Sequence, residues 1–405
     1  MSGRVVVVGG GLAGGTLVTQ LREGGHEGPI TLFAEEPHPP YERPPLSKDL
    51  LLGKGTEDKA LVREEGWYAE NDVDLRTGTA VTSLDLAARE VVAGAARTAY
   101  DHLVLATGSR PRHLRMADES GAPIVYLRTM EDSRRIRAAL SAGTRIGIVG
   151  GGWIGLEVAS AARAADAEVT LVESLEQPLL RVLGPEVATV FADLHRSHGV
   201  DLRLGASLTG VTRTGEQGVL DLADGDPVTC DLIVVGIGIE PVTELAAAAS
   251  LTVDNGVRTD ERLLTSARDV YAIGDVANAD HPVLGRPVRV EHWDTAIQHG
   301  KVAARNILGE EAVAEALPYF FTDQYDLGME YVGSPGPDGY DRVVLRGDVD
   351  GHVFTAWWLR DGQVVAGMHV NDWDAIDDVR RIVGRSVEAD RLADSEVPLG
   401  DVGAE

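Results

Sequence analysis

The sequence predicts an α/β protein made of two nested copies of one parallel-sheet unit, followed by a separate α+β domain. Three observations carry this reading. Short β-branched runs alternate with longer helical stretches, as parallel sheets require. One pattern of strand, glycine turn, helix and strand occurs twice, about 140 residues apart. Beyond Leu317 the composition changes: that segment holds ten of the twenty aromatic residues and no lysine.

The first copy is Val5–Val8, the turn Gly9-Gly10-Gly11-Leu12-Ala13-Gly14, a helix to about Glu23, and a strand Ile30–Ala34 closed by Glu35. Its sheet is incomplete, and Leu103-Val104-Leu105-Ala106-Thr107-Gly108 and Val270-Tyr271-Ala272-Ile273-Gly274-Asp275 are the segments expected to complete it. The second copy lies between them. It comprises Arg145–Val149, Gly150-Gly151-Gly152-Trp153-Ile154-Gly155, a helix to about Ala165, and Val169–Val172 closed by Glu173. The expected domains are therefore 1–110 with 240–316, an insertion 111–239, and 317–405. In the last, Val343–Leu345, Val353–Leu359 and Gln363–Val370 read as antiparallel strands, with turns such as Asp361-Gly362. A helix from about Trp373 to Val383 follows, and the tail after Leu392 reads as loosely structured.

Composition excludes several function classes. Acids outnumber bases 64 to 37, a formal charge of −27. A nucleic-acid binder needs a basic face. No run approaches the length of a transmembrane helix, and the strand Val5–Val8 leaves no room for a signal peptide before it, so a cytoplasmic protein is expected. The single cysteine, Cys230, cannot make a dithiol or a four-thiolate cluster. It reads as a small buried hydrophobe beside Leu232–Val235. The eleven histidines are scattered without ligand spacing, and no metal is expected. His195 and His198 read as a polar helix end.

The glycine turns carry the chemistry. In G-x-G-x-x-G the first glycine permits the tight turn, the second admits a pyrophosphate to the backbone, and the third lets helix and strand pack closely. The phosphates then sit at a helix N-terminus, and the acid closing the second strand accepts hydrogen bonds from ribose. Two copies imply two dinucleotide sites, one for FAD and one for a nicotinamide nucleotide. The insertion is assigned the mobile nicotinamide. Glu173 and Glu176, with no arginine before Arg181, predict NADH over NADPH.

Taken together, these segments resemble the FAD-dependent, NADH-using ferredoxin reductases, the putidaredoxin reductase and Rieske dioxygenase reductase family, with apoptosis-inducing-factor proteins as relatives. The resemblance rests on the two glycine turns, Tyr41-Glu42-Arg43-Pro44-Pro45-Leu46-Ser47-Lys48, Ala106-Thr107-Gly108, Leu127-Arg128-Thr129, Leu156-Glu157, Tyr271 to Asp275, Val290-Glu291-His292-Trp293 and Phe320-Phe321-Thr322-Asp323-Gln324-Tyr325-Asp326. The fold class it implies is α/β, two nested Rossmann-like dinucleotide-binding domains as in glutathione reductase, plus a C-terminal α+β domain.

The resemblance also implies roles. Gly9, Gly11, Leu12, Ala13, Gly14 and Glu35 would hold the adenosine and pyrophosphate of FAD, with Val81 at the adenine. Arg43, Ala106, Thr107, Gly108, Asp275, Glu291, His292 and Trp293 would also line FAD, and Lys48 and Arg128 would lie by the flavin ring. Gly150, Gly152, Trp153, Ile154, Gly155, Glu173 and Gly236 would bind NADH. Glu157 would sit where nicotinamide meets flavin and pair with Lys48; these two are the catalytic candidates. A compact ammonium there stabilises negative charge on reduced flavin.

The implied activity is electron transfer from NADH through FAD to a small [2Fe–2S] ferredoxin that serves a cytochrome P450 or a Rieske oxygenase. Such partners are usually acidic, so a local basic patch is expected. Lys301 and Arg305, four apart on a helix, are one candidate; Arg380, Arg381 and Arg385 are another. A monomer or weak homodimer is expected. The alternatives are an NADH-sensing flavoprotein like apoptosis-inducing factor and an NADH oxidase or diaphorase with another acceptor. Phe321, where the family often has tryptophan, and the pair Trp357-Trp358 depart from the family pattern.

Overall fold

Val5–Val8, all four residues buried, is the central strand of the first parallel sheet. Its neighbours are Ile30–Phe33 on one side and His102–Leu105 on the other, with Val73–Arg76 and Val270–Ala272 at the edges. Both completing segments thus take the expected places. A strand covered on two faces reads as an unbroken apolar run, which is why Val5–Val8 shows no alternation. The computed structural model describes residues 3–403, and the chain divides into two units. The first unit gathers the chain up to Pro44, Thr56–Arg110 and Ile239–Pro318.

In this unit the first glycine helix, Leu12–Glu23, lies against the helix Trp293–Ile307. Leu17, Val18 and Leu21 share one core with Val302, Ala303 and Ile307. The approach is close because Gly300 has no side chain: a Cβ there would stand 2.9 Å from the Ala13 carbonyl oxygen.

The second unit contains Pro45–Gly55, Pro111–Gly238 and the chain from Tyr319 onward. Its parallel sheet runs Asp201–Arg203, Glu168–Val172, Arg145–Val149, Leu232–Val235 and Ile124–Val125. The second glycine helix is Trp153–Ala164, and a longer helix, Leu180–Ser197, is kinked at Gly184-Pro185. Its antiparallel sheet has the order Tyr319–Gln324, Leu327–Gly333, Gln363–Val370, Val353–Arg360, Arg342–Asp348. One apolar core joins the two layers, with Leu183 and Phe191 of the kinked helix beside Tyr331 and Trp358.

Trp357 and Trp358 are both fully buried on opposite faces of their strand. The Trp358 indole N–H donates to the Leu183 carbonyl, 3.0 Å away. Trp357 lies over Gly367, where a Cβ would come within 2.8 Å of its ring. The pair is core, and truncating a buried tryptophan costs about 3–5 kcal/mol. Cys230 is likewise buried against Gly147, with its thiol pushed up to about 12 by burial.

Two expectations need correction. The C-terminal helix begins at Ile376 and ends at Ile382, leaving Trp373 in a turn and 59% exposed. Residues 393–403, expected to be loose, are held in place. Arg381 donates to the carbonyls of Leu399, Gly400 and Val402, and Arg385 to that of Gly403. Arg346 holds Asp394 and Val397 in the same way, and Val402 is fully buried. Backbone carbonyls without a sheet or helix partner must be satisfied elsewhere, and here arginines do it. No helix among the described residues is long and apolar enough to cross a membrane.

Candidate functional site

The two glycine turns are the same object built twice. Gly9 and Gly150 have φ of +122° and +108°, a region open to glycine. A Cβ on Gly9 would lie 2.1 Å from the Ala106 carbonyl oxygen, and one on Gly150 2.4 Å from that of Gly236. Ala106 and Gly236 therefore play equivalent parts, each closing the strand beside its glycine turn. A Cβ on Gly14 would meet the Gly9 carbonyl oxygen at 2.2 Å, and one on Gly155 the Gly150 oxygen at 2.1 Å. The first and third glycines are thus required by the protein's own packing.

The middle glycines are different. A Cβ on Gly11 or Gly152 would have nothing within 4 Å. Both residues are extended, with φ of −85° and −82°, a conformation any residue adopts. Nothing in the protein demands glycine there, so the demand comes from what approaches the backbone. Each is the N-cap of its helix, with no side-chain cap and no acid in the first turn. A helix start left uncapped offers N–H groups and a positive dipole end to an anion. The residues fit a pyrophosphate in both units.

The flanking residues differ between copies. Leu12 and Ala13 are buried under the first turn. Ile154 is 42% exposed, and Trp153 packs on Phe191 and Phe320. Glu35 is exposed at the end of its strand. Glu173 is held at the lip of the second turn, accepting from Gly151 N–H at 2.6 Å and Leu175 N–H at 2.8 Å.

Other first-unit candidates have defined surroundings. Arg43 pairs with Glu36 at 2.6 Å and lies over the Tyr41 ring. Val81 packs partly buried on the core around Phe33 and Leu105. The Thr107 hydroxyl donates to the Val242 carbonyl at 2.7 Å, and Gly108 takes φ +68°. Asp275 sits in a one-turn helix begun by Gly274, whose N–H donates to His299 Nδ1 at 3.2 Å. Burial pushes His299 down to about 4, so this nitrogen is an acceptor. Glu291 pairs with Arg289. His292 stands at the N-cap position of the helix Trp293–Ile307 without a side-chain capping bond, and is also pushed down to about 4 by burial. The Trp293 indole N–H donates to Glu42 at 3.0 Å.

In the second unit, the structure brings Lys48 and Glu157 together. Lys48 Nζ lies 2.6 Å from Glu157 Oε1, with the side chains 15% and 5% exposed. The segment that carries Lys48 is pinned locally. Thr129 opens the helix Met130–Ala139 with a capping box to Asp132, which also accepts from Arg128 N–H. One turn on, the Ser133 hydroxyl donates to the Leu46 carbonyl at 2.7 Å. Phe321 offers its ring face to Lys48 at 5.3 Å.

Two partners of Glu157 escape sequence reasoning. The Ser47 hydroxyl donates to Oε2 at 2.5 Å and the Thr322 hydroxyl to Oε1 at 2.6 Å. Both stand in segments already notable, Tyr41–Lys48 and Phe320–Asp326, and that was the available signal. His195 is a correction. It is not a polar helix end but fully buried, bonded to Gln324 at 2.8 Å. The spacing Leu183, Val187, Phe191, His195 puts it on the apolar face. Among the basic candidates, Lys301 and Arg305 are exposed on one helix face, Arg305 pairing with Glu310. Arg380 lies over the Tyr319 ring. Arg381 and Arg385 are committed to the chain end. Among the described residues no cluster of three or more potential metal ligands occurs.

Comparison with known proteins gives a consistent picture. The family described as pyridine nucleotide-disulphide oxidoreductase matches residues 3–300, and a reductase C-terminal family matches residues 319–402. Putidaredoxin reductase CamA of Pseudomonas putida is 37% identical over 98% of this chain and 96% of its own. The ferredoxin–NAD(+) reductase component of the anthranilate 1,2-dioxygenase system of Burkholderia cepacia is 38% identical over 97% and 98%. The crystal structure of a covalent putidaredoxin reductase–putidaredoxin complex superimposes with a TM-score of 0.95 at 37% identity, covering 100% of this chain and 99% of that one.

Proposed function

The chain belongs to the pyridine nucleotide-disulphide oxidoreductase family, and we propose that it works in the cytoplasm, as a monomer or weak homodimer, passing electrons from NADH through FAD to a small [2Fe–2S] ferredoxin that feeds a cytochrome P450 or Rieske oxygenase. The carrying observation is the pair of glycine turns whose middle residues alone have no reason within the protein to be glycine. Disulfide chemistry, which the family description names, needs a thiol in place. The one cysteine is buried with its thiol pushed up to about 12.

Bound FAD supplies the conversion of a two-electron hydride donor into one-electron deliveries. The residues do the rest. Gly9, Gly11, Gly14 and Glu35 hold the FAD pyrophosphate and ribose, with Arg43, Val81, Ala106 to Gly108, Asp275 and Glu291 to Trp293 along the cofactor. Gly150, Gly152, Gly155, Glu173 and Gly236 hold NADH. Lys48 supplies a fixed positive charge where reduction brings negative charge. Glu157 fixes the ammonium and orients the nicotinamide end. Anaerobic mixing of the FAD-loaded protein with NADH tests this directly: rapid bleaching of the flavin absorbance is expected, and a flavin that NADH leaves oxidised contradicts the reading.

Cofactor preference follows from charge. A 2′-phosphate beside Glu173 and Glu176 meets like charge, which costs several kcal/mol. The efficiency with NADH should exceed that with NADPH by roughly 100-fold or more, and Glu173→Ala should narrow the gap. Equal kcat/KM for the two nucleotides would contradict this.

An acidic ferredoxin needs a cationic landing point on a chain of net charge −27. Lys301, with Arg305 beside it, is the proposed one, and Arg380 a second. Lys301→Glu should slow ferredoxin reduction about tenfold while NADH-to-ferricyanide activity is retained, with the effect fading at high salt. Loss of neither activity removes Lys301 from docking.

A further inference from the structure

We propose that Tyr325, His195, Gln324 and Thr322 form a one-way hydrogen-bond relay that positions the Glu157 carboxylate and, through it, Lys48. The proposal rests on the reading of Lys48 and Glu157 given above.

The direction of the relay follows from which groups can donate. An ionised carboxylate only accepts, so Thr322 spends its single proton on Glu157 Oε1. The threonine oxygen then accepts from Gln324 Nε2, at 3.2 Å. That orientation turns the Gln324 amide oxygen toward His195, whose Nε2 lies 2.8 Å away and donates. With its proton on Nε2, the neutral imidazole presents Nδ1 as an acceptor, and the Tyr325 hydroxyl stands 3.2 Å from it. Every donor along the line faces the same way and the last one ends on the carboxylate. With this tautomer a flipped amide loses the bonds to both Thr322 and His195, and the other imidazole tautomer loses the bond to Gln324 and turns the Tyr325 hydroxyl into an acceptor.

The surroundings suit a rigid line rather than a mobile one. Thr322, Gln324 and His195 are 1%, 0% and 0% exposed. Burial pushes His195 down to about 4, so it stays neutral at pH 7. Thr322 and Gln324 are two apart on one strand and so share a face. The far end is anchored twice: the Tyr325 N–H donates to Ser160 at 3.0 Å, and its ring stacks on His198 at 3.7 Å. Ser160 lies on the same helix as Glu157, one turn further on. The relay leaves that helix at Glu157 and returns to it at Ser160, a closed loop that fixes the carboxylate's position. A fully satisfied buried network of this kind specifies one geometry. None of the four is among the residues assigned to either nucleotide, so they are positioning residues.

The test uses the FAD-loaded protein and four variants: Thr322→Val, Gln324→Met, His195→Leu and His195→Gln. Stopped-flow reduction by NADH should slow about tenfold in the first three, the worth of one hydrogen bond to a charged group, with the Kd for NADH little changed. His195→Gln, which keeps a donor near the Nε2 position, should restore most of the rate. In a Glu157→Gln background, Thr322→Val should add less than about twofold, because residues acting as a unit are not additive. Independently of activity, nitrogen-15 spectra of the histidines should place the His195 proton on Nε2.

The Nδ1–H tautomer at His195 overturns the proposal. So does an unchanged rate in Thr322→Val and Gln324→Met when Glu157→Gln is slow. A full additive loss in the double variant assigns these residues a merely structural role and overturns it too. If Glu157→Gln itself reduces at the wild-type rate, the reading of Glu157 fails and the relay falls with it.

Discussion

Valine in place of Gly11 or Gly152 is expected to separate the two cofactors. Gly11→Val should give a folded protein that retains little or no FAD. Gly152→Val should give a yellow protein that NADH reduces poorly. Both positions are extended and both have open space where a side chain would go. Neither substitution strains the backbone or strikes the protein, so folding is spared. The added methyls occupy the space through which a pyrophosphate reaches the helix N–H groups. A loss of at least about 100-fold in affinity is expected at the altered site, equivalent to roughly 2.8 kcal/mol. Flavin absorbance of the purified protein reports the first, and the Kd for NADH the second. Gly14→Val is the contrasting case: with a carbonyl oxygen 2.2 Å from the new Cβ, it should reduce the thermal midpoint as well. An FAD-replete Gly11→Val would contradict the assignment of the first turn.

Breaking the Lys48–Glu157 pair should produce the largest effect on turnover without removing either cofactor. Glu157→Gln leaves a mostly buried ammonium beside a neutral amide, and Lys48→Met leaves the reverse. Either should slow flavin reduction by NADH roughly 100-fold, the usual cost of removing one preorganised electrostatic partner. The double variant should be no slower than the worse single, since the pair acts as one element. Stability should move in a different way. Each single variant leaves a charge buried without its partner, at a cost of several kcal/mol, whereas the double variant removes both charges and should recover part of the loss. Thermal midpoints and stopped-flow rates on the same four proteins separate the two effects. Additive losses in rate would contradict a shared role.

The parts of this molecule legible in its sequence are those governed by short-range rules. The glycine turns are visible because turn, helix start and strand end fall within about 30 residues and each residue type has one physical reason to be there. The nesting of the two sheets was legible because the completing strands, His102–Leu105 and Val270–Ala272, are unbroken or nearly unbroken apolar runs. The polar interior was not. Thr322 reaches Glu157 across 165 positions, and His195 reaches Gln324 across 129. Polar contacts at such separations leave no periodic trace. His195 reads as polar by its type, and only its place on an apolar helix face points to burial. The tail hides its order for a related reason. Its order comes from arginine side chains meeting backbone carbonyls, and those carbonyls look the same whatever the residue.

The central claim is that this chain takes electrons from NADH and hands them to a small iron–sulfur protein. Cytochrome c reduction by the FAD-loaded protein and NADH, measured with and without a [2Fe–2S] ferredoxin, tests it most directly. The expected result is a rate that rises many-fold and saturates as ferredoxin is added. A rate that is already high without ferredoxin, or that stays low with every ferredoxin while NADH still bleaches the flavin, would contradict the claim.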